Sequence, residues 1–225
     1  MQTISHNTHK SPPLGVLAIA FTVLFCAGLS FVVSFSPTSP HFPAPWDTPD
    51  IITAYFRDYP HAALMCSFLQ FVAAVPLGLY VVSVESRFRF HGVNAAGPSI
   101  ALFGGLIAAL NIFLSSLFLW VMAYPEIAQD ASLTRALYYV VYAIGGVGYS
   151  LPLGIFFAGV SVTAFFTKLL PKWLVYFGFG LALTGLLSSL SLLSMSLLFF
   201  IPLTRFIGFI WLIIAGFKLH LKKTA

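Results

Sequence analysis

Arg205, in the stretch "IPLTRFIGF", is the only charged residue between Lys172 and Lys218, a run long enough for two membrane-crossing helices. If Lys218 marks the inner hydrocarbon edge, the intervening helix lifts Arg205 about 20 Å through a layer of about 30 Å. If Lys218 snorkels and Lys222 marks the edge, Arg205 comes close to the outer interface. Either way it belongs to the outer half, and an ionisable group at such depth marks a candidate site and needs a partner. Arg57 and Arg135, and the acids Asp58, Glu126 and Asp130, fall on the same side. Two arrangements follow. In one, ion pairs among these residues lock the outer helix ends together. In the other, Arg57, Arg135 and Arg205, with His61 and nearby tyrosines, form an outward-facing pocket for an anionic or amphiphilic ligand. Asp58 and His61 flank Pro60 at the start of a helix, so Asp58 is also a candidate N-cap. Gln70, Asn111, Tyr138, Tyr142 and Tyr149 could line the pocket floor. Pro76 and Pro152 would free backbone carbonyls beside them. Each of these polar groups could equally be interhelical glue.

Other chemistry finds little footing. No carboxylate lies inside any expected crossing, which weighs against proton-coupled transport and intramembrane aspartyl proteolysis. No mid-membrane histidine is available for haem, and no G-x-S-x-G, H-E-x-x-H or G-x-x-x-x-G-K-[ST] occurs. His6 and His9 sit at helical spacing but in a polar tail. Cys26 and Cys66 lie in apolar runs without a C-x-x-C pattern and read as small hydrophobes. "GGVGYS" is similar to the "TVGYG" filter of potassium channels, but a filter needs a re-entrant loop between two full crossings. An intramembrane enzyme would have to rely on His61 as acid/base with an arginine on the substrate, without a nucleophile or metal set. No cofactor, metal or nucleic-acid partner is expected.

The elements that must position these residues are transmembrane helices. Only 8% of the 225 residues are charged and 59% are hydrophobic, with mean hydropathy +0.96, far from the roughly one-quarter charged residues of soluble domains. Crossings of about 20 apolar residues are expected near 14–34, 60–84, 98–122, 136–166, 173–195 and 199–218. The first is too long for a signal-peptide core and lacks an A-x-A-like site. The segment "AIGGVGYSLPLG", residues 143–154, sits in a stretch with room for one crossing only. Its glycines and Pro152 should bend or loosen that helix rather than end it. The fold class is therefore all-α, a polytopic bundle of six helices, with residues 1–12 as a cytoplasmic tail and 13–225 as one domain. No internal repeat is evident.

Six crossings with an inside N-terminus place Lys10, Arg87, Arg89, Lys168, Lys172, Lys218, Lys222 and Lys223 inside, against Arg57, Arg135 and Arg205 outside. Both termini are then cytoplasmic. The one sizeable loop, 36–58, begins proline-rich and extended. It continues with Thr48 as N-cap, Pro49 at the first helical position and Asp50 in the first turn. A short helix lying on the outer membrane surface should follow, with Trp46, Tyr55 and Tyr59 at headgroup depth.

The strings "FPAPWDTPDIITAYFRDYP", "RFRFHGVNAAGPSIALFGG" and "IPLTRFIGFIWLIIAGF" resemble an uncharacterised family of bacterial six-helix integral membrane proteins. The resemblance implies that architecture and a bacterial inner membrane, and carries no activity or site residue with it. The reading that results is a ligand-binding or accessory, sensory module with an outward-facing polar site. Its partners would be the lipid bilayer, a lipid or small anionic or amphiphilic ligand, or a second membrane protein. A small transporter or channel is the alternative, which a continuous polar path past Gln70 and Asn111 would favour and a dry inner half would oppose.

Overall fold

The computed structural model describes residues 11–33 and 42–219. His6, His9, Lys10, Lys222, Lys223 and the proline-rich start of the loop at 36–41 lie outside them. The described chain is all helical: α1 (Leu14–Ser30), α2 (Pro49–Asp58), α3 (Pro60–Phe90), α4 (Ala96–Met122), α5 (Ala131–Gly145), α6 (Val147–Thr167), α7 (Lys172–Leu187) and α8 (Phe200–Lys218), with short 3-10 turns between. Five helical segments are long and apolar enough to cross a membrane, α5 and α6 counting as one, and α1 is a shorter apolar sixth. The protein is a multi-pass membrane protein. Its outer surface carries Phe68, Phe103, Phe166, Tyr176, Ile210 and Phe217, all exposed. Such a surface suits contact with lipid.

Several boundaries differ from the hydrophobic reading. Helix α1 stops at Ser30 rather than residue 34, and α3 runs on to Phe90. After Leu187 the serine-rich stretch tightens into 3-10 turns, as Ser188, Ser189 and Ser191 each donate to the carbonyl three residues back. Serine hydroxyls compete in this way with the α-helical ladder.

The crossings close into a ring in which each helix packs on the next: α1, α3, α4, α6, α7, α8 and back to α1. Small residues bring the backbones together. At α6 and α7 the main chains nearly touch, for a Cβ added to Gly185 would lie 2.6 Å from the Gly154 Cα. The interior holds two hydrophobic clusters. The larger interlocks Phe21, Phe25 and Phe209 edge to face and buries Tyr80, Phe156, Phe157 and Trp211 completely. The smaller, at the end carrying α2, gathers Ile52, Tyr55, Phe56, Cys66, Met122 and Tyr138.

Helix α2 forms as expected, with Pro49 at its start, but Thr48 makes no side-chain cap. Its apolar face is not spent on the membrane. Ile52, Tyr55 and Phe56 are buried against the bundle, so α2 is a lid over one end, while Trp46 and Tyr59 stay exposed. Burial raises the Tyr55 phenol above its ordinary range and keeps it neutral. Tyr138, on α5, straps the loop down by donating to the Pro43 carbonyl. At the opposite end Arg87 gathers two separate stretches of chain. It donates to the carbonyls of Leu219 and Pro12 at 2.8 and 2.9 Å and to Ser11 Oγ at 3.2 Å.

Candidate functional site

The glycine-marked crossing, expected to bend without ending, instead breaks at Gly146, whose ψ of −98° lies far from the helical value of about −42°. Helix α5 therefore ends, and α6 begins, in the middle of the bundle. The end of α5 presents the Gly145 carbonyl, and Arg205 Nη2 donates to it from α8. A guanidinium suits this position, because a helix C-terminus carries a partial negative charge. The arginine is also sandwiched between rings, with Cζ 5.4 Å from the Phe25 centroid and 5.2 Å from that of Tyr149. Its Nε is buried without an acceptor. One turn on, Pro152 has no N–H for the carbonyl of Gly148, and Asn111 on α4 donates to that carbonyl instead. Ser115, a turn along α4, bonds the Val141 carbonyl at 3.1 Å.

Arg205 forms part of the wall of a cavity of about 310 Å³ at the junction of the two hydrophobic clusters. Gln70 and Cys66 of α3, Ser115 of α4 and Tyr142 of α5 supply its other polar atoms. Phe25, Leu29, Ile112 and Leu119 make much of the wall apolar. Tyr142 and Pro202 also border a wider hollow, about 610 Å³, lined by Trp46, Met195 and Phe199. The two share that part of their walls. Below the cavity lies the packed aromatic cluster. A chamber with one cation, a few neutral hydrogen-bonding groups and apolar walls is suited to holding a small organic molecule.

Of the residues expected to form the pocket, the structure brings Arg205, Gln70 and Tyr142 together on its wall, with Asn111 just behind, on the Gly148 carbonyl. Tyr138 is buried in the lid. Arg57, His61 and Arg135 are exposed and do not reach the cavity. The expected ion-pair cluster of three arginines and three acids does not form. Arg57 pairs with its neighbour Asp58 at 3.0 Å in the open, Arg135 bonds the Tyr139 hydroxyl, and Asp130 caps α5 through the amides of Ser132 and Leu133. Glu126 is exposed. Asp58 closes α2 rather than capping α3, whose N-cap is Tyr59. The reason is geometric: these groups sit on the lid and helix tips, whereas Arg205 lies inside the bundle. Among the described residues, which include all six acids of the chain, none pairs with Arg205.

Two elements went unforeseen. The Arg205 acceptor is a main-chain carbonyl, and its availability depends on where the glycine run breaks. Arg87 reads in the sequence as one more basic residue of a loop, yet it is only 2% exposed and ties both ends of the described chain together. The spacing Arg87 and Arg89 after an apolar run was a signal that at least one arginine belongs to the helix. No protein-family model matches the chain, no curated protein matches it, and no solved structure matches it.

Proposed function

We propose that this chain is a ligand-binding module of a bacterial inner membrane, taking a small organic molecule into the cavity beside Arg205 from the non-cytoplasmic side. One observation carries the reading: a buried guanidinium with no carboxylate partner forms part of the wall of a cavity otherwise lined by neutral polar and apolar groups. A buried cation left without an anion is costly, so a site that keeps one gains from an anion supplied from outside. The excess of lysine and arginine at the Arg87 end supports cytoplasmic termini. The resemblance to bacterial six-helix proteins supports the compartment. The interlocked Phe21, Phe25 and Phe209 below the chamber favour binding over passage.

Native mass spectrometry of the protein released from a mild maltoside detergent tests this reading. Wild-type protein should carry a bound small molecule that is missing from Arg205→Gln and from Leu29→Trp, which narrows the chamber. The same bound species in all three would overturn it.

A further inference from the structure

We infer that the molecule held beside Arg205 is a single-chain carboxylate, with its one negative charge at the guanidinium and its chain on the apolar wall. This rests on the cavity being a ligand site. Four features narrow the class. First, the chamber offers one cation; Arg57 and Arg135 are exposed on the lid side and do not line it. A phosphate monoester would bring close to two charges and three strong acceptor oxygens, and would leave one charge uncompensated in a low-dielectric site. Second, the other polar groups, Gln70, Tyr142 and Ser115, are neutral and suited to hydrogen bonding rather than to a further charge.

Third, the remaining wall is apolar. An inorganic anion would answer the guanidinium and leave Phe25, Leu29, Ile112 and Leu119 facing empty space. A neutral hydrocarbon would fill that space and leave the guanidinium without an anion. Only a molecule with both parts satisfies both. Fourth, size is restrictive. About 310 Å³ corresponds to roughly ten liquid-water volumes, and so to roughly ten heavy atoms of a flexible chain. A two-chain lipid does not fit within it, whereas a single chain of that length does.

The probes are decanoate, 1-decanol, acetate and dihexanoylphosphatidylglycerol, each titrated into the full chain in maltoside micelles, with binding read as a dissociation constant and a rise in Tm. Decanoate should bind about tenfold or more tighter than decanol, the difference expected from one charge-assisted hydrogen bond. Acetate and the two-chain phosphodiester should bind more weakly than decanoate. Arg205→Gln should erase the preference for decanoate over decanol. Leu29→Trp leaves Arg205 intact and should abolish binding of both long-chain probes, which keeps the idea testable if the arginine variant does not fold. Equal binding of decanol and decanoate would overturn the carboxylate and leave the cavity reading standing. Tighter binding of the phosphodiester would overturn the single chain. Failure of every probe to bind wild type, with no species co-purifying, would overturn both.

Discussion

Asn111 donates its side-chain amide to the carbonyl of Gly148, the acceptor that Pro152 strips of its helical N–H. The bond repairs a fault in one helix with a group from another. Asn111→Leu should therefore cost about 1 kcal/mol, within the range measured for interhelical hydrogen bonds. In a Pro152→Ala background, where residue 152 regains an N–H, the same substitution should cost clearly less. Unfolding of the four proteins in one detergent gives the coupling, and equal costs in both backgrounds would contradict the pairing.

Arg87 holds three acceptors from two distant parts of the chain, which a lysine ammonium cannot reach with the same fork. Arg87→Lys should destabilise the protein by about 1–2 kcal/mol and lower Tm by roughly 2–8 °C. Amide exchange should rise at Leu219 and at Val16 and Leu17, whose N–H groups bond the Pro13 carbonyl beside the clasp. Unchanged exchange at these amides would show that the guanidinium does not hold the ends.

Gly185 and Gly180 share α7 but not their surroundings. A Cβ at Gly185 would meet the Gly154 Cα at 2.6 Å and the Ser150 carbonyl at 2.9 Å, both backbone atoms that must move. Gly185→Ala should destabilise by about 1–3 kcal/mol. A Cβ at Gly180 meets nothing within 4 Å, so Gly180→Ala should be neutral or stabilise by up to about 1 kcal/mol. Thermal unfolding of both variants checks the opposite signs.

Topology can be read directly. With Cys26 and Cys66 replaced by alanine, single cysteines at Ser11, Lys218 and Asp50 should label from two sides of intact membrane vesicles. Ser11 and Lys218 should react from the same face, and Asp50, in the first turn of the lid, from the other. Labelling of Ser11 and Lys218 from opposite faces would be incompatible with six crossings.

The number of crossings is legible in the sequence because hydrophobic length is a local quantity that nothing distant can change. Helix ends are not, since α1 stops at Ser30 within an apolar run and α3 continues through Glu85 and Arg87. The depth of Arg205 singles it out, and Gln70 and Tyr142 do lie on the same cavity wall. Its partner stays hidden for a physical reason. Opposite charges suggest carboxylates, but the acceptor is the Gly145 carbonyl, freed by a helix break where hydrophobic length alone indicates one continuous, bent helix. The lid helix shows the same limit. Ile52, Tyr55 and Phe56 form an apolar stripe that fits either lipid or protein, and only the tertiary placement of Phe42, Cys66, Met122 and Tyr138 decides between them.

The Arg87 clasp also brings the two ends of the described chain to one point. The carbonyls of Pro12 and Leu219 share one guanidinium, and α1 packs on α8 as any consecutive pair in the ring does. A short linker from residue 219 to residue 11, with the polypeptide opened instead at the exposed turn of Leu192 and Leu193, would preserve every neighbour relation among the crossings. Such a circular permutant should be able to assemble, since the order of helices around the ring, rather than which one is threaded first, defines this molecule.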